Sequence, residues 1–154
     1  MLSWGLHQLR GPPVLTLDVG CGPNPTGDVN LDYGPTQQNT KNGVRTKANI
    51  YGDAIHLPFR SKAFDSVNCF HCLEHLRDPA TAIRELERVG KTVHVKVPHR
   101  YCPGNNRNKS HLWSFTEAWF KRRGYKTTVS VTYRWFRLPL IPAWNEIDAR
   151  YSSS

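Results

Sequence analysis

The sequence predicts an α/β domain with an open, mostly parallel, twisted sheet and flanking helices, and three observations carry that prediction. Short apolar or β-branched runs recur at 14–19, 29–32, 64–70 and 92–97. Between the last two, Ala82, Ile83, Leu86 and Val89 repeat at helical spacing, giving one apolar stripe. Turn-forming or acidic residues close the runs: Gly20-Cys21-Gly22 after the first, Asp32 after the second, Pro98 after the fourth. Strands alternating with helical segments favour parallel pairing through right-handed crossovers.

Along the chain, the first strand spans 14–19 and the second 29–32. The polar stretch 34–49 reads as loop. A turn around Pro58 precedes the buried strand 64–70. A helix is expected to start near His71 and to pause at Asp78-Pro79, where Asp78 serves as N-cap with Pro79 at the first helical position. Gly90 stops that helix. Residues 100–112 form a polar loop, and Thr116-Glu117 opens a helix running to Arg123 and ended by Gly124. Residues 125–136 read as strand; no seventh strand is evident beyond them.

The length of 154 residues suits one domain, with a core at about 14–136 and an irregular C-terminal tail at 137–154. No 18-residue apolar run exists, so no transmembrane helix is expected. The start MLSWGLHQLRGPP lacks the pattern of a secretory signal. Cytoplasmic residence is the default expectation, and Cys21, Cys69, Cys72 and Cys102 suggest no disulfide framework. The net charge of +9 is carried largely by the later half, where Arg100, Lys109, Lys121, Arg122, Arg123 and Lys126 interleave with Tyr101, Trp113, Trp119 and Tyr125. Such a surface favours an anionic partner, RNA first; a solvated basic face is the bland alternative.

The chemistry-bearing pattern is LDVGCG at 17–22 followed by Asp32 ten residues after Gly22. Glycine carries no Cβ, so its backbone can approach a ligand closely. An acid at the end of the next strand offers two acceptor oxygens to a ribose diol. Strand, glycine turn, strand, acid is the pattern of an adenosine-binding α/β domain. Asp18 to Gly22, Asp32, Asp53 and Phe70 to His75 all fall at or just after strand ends, where ligands bind in such sheets.

Taken in order, LDVGCG (17–22), NLDY (30–33), GDAIHLPF (52–59), FDSVNCFHCLEHLRDP (64–79), KTVHVKVPH (91–99) and HLWSFTEAWFKRRGY (111–125) resemble the class I S-adenosylmethionine-dependent methyltransferases, in the group called type 11. The resemblance implies a Rossmann-like minimal methyltransferase core and S-adenosylmethionine as cofactor. It implies that Asp18, Gly20, Cys21 and Gly22 shape the methionine end of its pocket and that Asp32 holds the ribose hydroxyls. Asp53 and the Ala54 backbone would meet the adenine, and Phe70 and His71 would border the methionine moiety. The chain departs from the family between Gly22 and Asp32, where ten residues with Pro23 and Pro25 leave no room for the usual helix. This shortened first crossover suggests a core completed by a partner subunit or a second copy.

His71, Glu74 and His75 stand at i, i+3 and i+4, one face of a helix if one forms, and His111 follows the fifth strand. Two imidazoles and a carboxylate suit a divalent metal. Small-RNA 2′-O-methyltransferases resemble this pattern, which implies a metal site at His71, Glu74, His75 and His111. In type 11 methyltransferases without metal, the same residues organise helix and cofactor. A zinc knuckle at Cys69-x-x-Cys72 is weak, because no second such pair exists. His75 and His111 are the candidate general bases for methyl transfer to an oxygen or nitrogen nucleophile. Alternatives are a methyltransferase-like module that is non-catalytic or partner-dependent, and a small-molecule O-methyltransferase. A nicotinamide dehydrogenase fails, because the third spaced glycine is missing.

Overall fold

A computed structural model describes residues 14–35, 44–102, 105, 108–134 and 141–153. Seven strands form one sheet: β1 (Thr16–Val19), β2 (Val29–Asp32), β3 (Ile50–Tyr51), β4 (Phe64–Phe70), β5 (Gly90–Pro98), β6 (Lys126–Arg134) and β7 (Ile141–Ser152). Their spatial order is β3-β2-β1-β4-β5-β7-β6. The first five pair in parallel, while β7 runs antiparallel to both β5 and β6. Two helices, α1 (Pro79–Val89) and α2 (Glu117–Lys121), complete the expected α/β class. Of the expected loop at 34–49, residues 36–43 lie outside the described residues, as do 135 and 136 of the expected last strand.

The register sorts the sheet into two unlike faces. Leu17, Val67, Val93, Val95, Val97, Ile147 and Ala149 project to one side and are 0–1% exposed. They share a single core with Ala82, Ile83, Leu86 and Val89 of α1 and with Phe115 and Phe120. Each such side chain contributes about 1.5–3 kcal/mol by leaving water. The other face carries Ser66, Asn68, Thr92, His94, Lys96 and Asp148, and no described helix covers it. The short crossover lies there: Thr26 donates from its N–H and Oγ1 to Asp18 Oδ2 at 2.7 and 2.8 Å, and Asn68 Nδ2 donates to Thr26 Oγ1 at 3.1 Å. A parallel sheet normally hides both faces under helices; among the described residues this face is polar instead.

Helix α1 starts as its sequence dictates. Asp78 accepts from the Thr81 N–H at 2.9 Å, and Pro79 occupies the first turn. Glu85 and Arg88, one turn apart, tie the helix to the segment after Gly52. Leu57 N–H donates to Glu85 Oε2 at 2.8 Å, and Arg88 donates to the carbonyls of Phe59 and Leu57 at 2.7 and 3.0 Å.

Two expectations need correction. Of the tail expected to be irregular at 137–154, residues 141–152 form a seventh strand, while 137–140 and 154 lie outside the described residues; β7 pairs along β5 from Thr92↔Ser152 to Pro98↔Glu146. Ile147 and Ala149 alternate with Glu146, Asp148 and Arg150, a period of two. The charged outward residues mask the strand in sequence, and it is held between β6, the strand just before it, and β5, some fifty residues away in the chain. The helix expected from His71 is also absent. His71 turns with φ +53°, and one 3-10 turn, Leu73–His75, follows.

Candidate active site

The carboxyl ends of β1, β2 and β4 open into a crevice of about 720 Å³, lined among others by Gly20, Asp32, Asp53, Ala54, His71 and His75. Its floor is a backbone strap. Gly20 and Cys21 N–H both donate to the Leu31 carbonyl at 2.8 and 3.2 Å, and Gly22 N–H donates to Asp32 Oδ2 at 2.9 Å. This path needs left-handed backbone at Gly20 (φ +73°) and Gly22 (φ +55°). Asp32 Oδ1 accepts the Tyr33 N–H at 2.8 Å, and Asp53 Oδ1 accepts the Ile55 N–H at 3.1 Å. Each carboxylate keeps lone pairs in reserve for a ligand.

Other residues singled out in the sequence sit beside the crevice rather than on its lining. Asp18 is 3% exposed and serves Thr26; burial raises its carboxyl above the ordinary value. Cys21 is buried, and that burial pushes its thiol up to about 12. The Phe70 ring packs edge-on against His94 and under the Lys96 ammonium, at 4.8 and 5.4 Å. Conversely, Tyr33, Leu76 and Arg77 line the crevice without having been given a role, and Cys72 lines it although it was weighed only as half of a zinc knuckle. Their signal in the sequence is membership of the NLDY and FDSVNCFHCLEHLRDP blocks.

A second cavity of about 270 Å³ adjoins the first and is lined by His71, Glu74, His75, Pro98, Asn105, Asn108 and His111. His111 arrives because Leu112 and Trp113 donate their N–H groups to the Glu74 carbonyl at 2.7 and 3.2 Å. Ligand atoms of Glu74, His75 and His111 then lie within 4.8 Å of one another. His71 leaves the expected four-residue set, since its Nε2 meets Glu146 Oε2 at 2.9 Å and its Nδ1 lies 3.6 Å from Glu74 Oε1. Glu74 is 1% exposed, and its Oε2 has no hydrogen-bond partner among the described residues.

Hydrogen bonds assign the tautomers of the two candidate bases. His75 Nδ1 faces the Ser110 carbonyl at 3.0 Å, so Nδ1 carries the proton and Nε2 holds the lone pair. His111 Nδ1 meets Asn105 Oδ1 at 2.6 Å, while its Nε2 takes the Asn108 amide at 2.9 Å. Asn108 is oriented by Ser110, whose N–H and Oγ both reach its Oδ1. Burial lowers the His111 imidazole from its ordinary value, keeping it neutral. The nearby Glu74 carboxylate raises that of His71.

The family profile of a methyltransferase domain matches residues 17–92, the span from β1 to the start of β5 that carries most of the larger crevice's lining. Those residues belong to the class I S-adenosylmethionine-dependent methyltransferase family. Among curated relatives, the chain is 33% identical over 133 residues to ajmaline N-methyltransferase of Rauvolfia serpentina, covering 68% of this chain and 46% of that one. A Thermotoga maritima S-adenosylmethionine-dependent methyltransferase, described as a possible histamine N-methyltransferase, shares the fold with a TM-score of 0.61 at 15% identity. The match covers 90% of this chain and 83% of the other. A Haloferax volcanii chain solved with the Trm112 methyltransferase activator aligns with a TM-score of 0.58 at 15% identity, over 88% and 81% of the two chains. The chain spans less than half the length of the curated relatives it matches, 32–46%. Among its described residues, no helix is long and apolar enough to cross a membrane.

Proposed function

We propose that this domain transfers a methyl group from S-adenosylmethionine to an oxygen or nitrogen nucleophile presented from the smaller cavity. The carrying observation is the junction of two unlike cavities at His71, His75 and Asn108, which line both. The larger fits a nucleoside with an amino-acid arm in volume and in donor pattern. Asp32 would take the ribose hydroxyls, Asp53 and Ala54 the adenine edge, and the Gly20–Gly22 strap the methionine end. When bound, the cofactor supplies a methyl group already activated on a sulfonium. The protein then has to align the acceptor and accept one proton. His75 is the better base, because its Nε2 lone pair has no described partner whereas that of His111 is engaged by Asn108.

The acceptor class we favour is RNA. The chain has a net charge of +9, and Tyr101 and Trp113 are 73% and 43% exposed on segments flanking the smaller cavity. Arg100 packs over the Tyr101 ring at 5.6 Å. Transfer from radiolabelled S-adenosylmethionine to transfer, ribosomal and small RNAs, alongside a panel of small amines and phenols, tests the acceptor. Failure to bind S-adenosylhomocysteine in calorimetry would sink the methyl-transfer reading itself.

One observation favours a second reading, in which His75 is a metal ligand instead of the base: a divalent cation held among Glu74, His75 and His111. The partnerless Glu74 Oε2 and the His75 Nε2 are available donors, while His111 Nε2 would have to exchange its Asn108 contact. Such an ion would supply charge to grip and acidify a hydroxyl acceptor. Calorimetric titration with manganese in the absence of cofactor, on the wild type and Glu74→Gln, tests this; equal heats from both exclude it.

A further inference from the structure

His71 stands where the two cavities meet, and its conformation is one a side chain adopts reluctantly. Its φ is +53°, and its N–H is pinned to the Lys96 carbonyl at 2.8 Å. Surroundings must hold such a backbone in place. Part of that hold comes from β7, a strand some seventy residues further along the chain. Glu146 lies opposite Pro98 at the end of the β5–β7 ladder, 16% exposed, with Oε2 2.9 Å from His71 Nε2 and Oε1 3.7 Å from Lys96 Nζ. Glu74 Oε1, on the far side of the ring, is 3.6 Å from Nδ1. The imidazole therefore sits between two carboxylates from different elements, one buried in the smaller cavity and one at its edge.

We propose that Glu146 is a positioning residue: by holding the His71 ring it sets the opening between the cofactor crevice and the acceptor cavity. The proposal rests on the methyl-transfer reading. Backbone pairing of β7 with β5 needs no acid at 146, so the carboxylate is surplus to the strand. Its two contacts, with His71 and Lys96, both point toward the end of the sheet where the cavities open. Of the two described carboxylate contacts of the ring, the one to Glu146 is the shorter, and it fixes the direction of Nε2 at the mouth between the two cavities.

The test combines a binding cycle with a spectroscopic signature. S-adenosylhomocysteine binding is measured by calorimetry for the wild type, Glu146→Ala, Glu146→Gln, His71→Ala and the Glu146→Ala/His71→Ala double variant. In parallel, the His71 Nε2–H proton is followed by NMR in ¹⁵N-histidine-labelled protein. Glu146→Ala and His71→Ala are expected to weaken binding comparably, by roughly tenfold, with the double variant no worse than either. Glu146→Gln retains an oxygen acceptor and restores most of the affinity. The ring proton is expected to resist solvent exchange in the wild type and Glu146→Gln, and to be lost in Glu146→Ala. Additive losses, wild-type affinity in Glu146→Ala, or an unprotected proton in the wild type would each overturn the positioning role. A wild type that shows the protected proton yet binds no S-adenosylhomocysteine overturns the methyl-transfer reading, and reduces the contact to a structural one.

Discussion

Gly20 and Cys72 are packed so closely that a Cβ on the glycine would stand 2.6 Å from Cys72 Sγ and 2.7 Å from its Cβ. The turn after β1 thus lies directly against the bend after β4. That contact brings the glycine strap and the His71–His75 segment to one crevice.

Gly20→Ala therefore meets two obstacles, the clash and the left-handed φ. We expect a loss of about 2–3 kcal/mol in urea unfolding. Adding Cys72→Ala should recover the steric part and leave the backbone part. If Gly20→Ala alone unfolds like the wild type, the close contact does not exist in solution.

Asp32 holds the strap through Gly22 and faces the crevice. Asp32→Ala should weaken S-adenosylhomocysteine by about tenfold or more, the scale of losing hydrogen bonds to a charged acceptor. Calorimetry reads this directly; unchanged affinity would remove Asp32 from the binding residues.

Glu85 secures the Leu57–Phe59 segment that frames Asp53 and Ala54. Its hydrogen bond with Arg88 holds its carboxyl below the ordinary 4.5. The unfolded chain therefore binds a proton first as pH falls, so this stabilisation is complete above about pH 4.5 and fades as pH drops through the lowered folded value. Glu85→Gln should cost about 1 kcal/mol at pH 7, with the difference from wild type shrinking below pH 4.5. A gap independent of pH from 7 to 3 would exclude the ionic contribution.

Ile147 tests the corrected C-terminus. It is 0% exposed and belongs to the main core. Ile147→Ala should destabilise the protein by about 2–4 kcal/mol, a cost an irregular tail would not show. Chemical denaturation measures it.

Legibility tracked the range of the interactions. β2 (Val29–Asp32), β4 (Phe64–Phe70) and the Asp78 cap fall where the residues indicate, because periodicity and capping act within a few positions. Gly20 and Asp32, which line the crevice, were marked by the local order of strand, glycine turn, strand and acid, whereas Asp53 and Ala54 were given a role only by the family resemblance. Arg77 and Tyr33 were not legible, since lining a crevice leaves no mark on an exposed arginine or tyrosine. The helix expected at His71 failed because a strand end must turn sharply to leave the sheet, and local spacing does not report that turn.

The sequence by itself determined the α/β alternation, the glycine strap after β1, the acid ending β2 and the shortened crossover between them. All of these are written in neighbouring residues and their backbone preferences. Only the tertiary structure decided that β7 enters between β5 and β6, that one sheet face stays polar and uncovered by any described helix, and that Glu146 reaches His71. Those features depend on pairing and packing between residues far apart in the chain, where the free energy of a contact is set by its surroundings rather than by its place in the sequence.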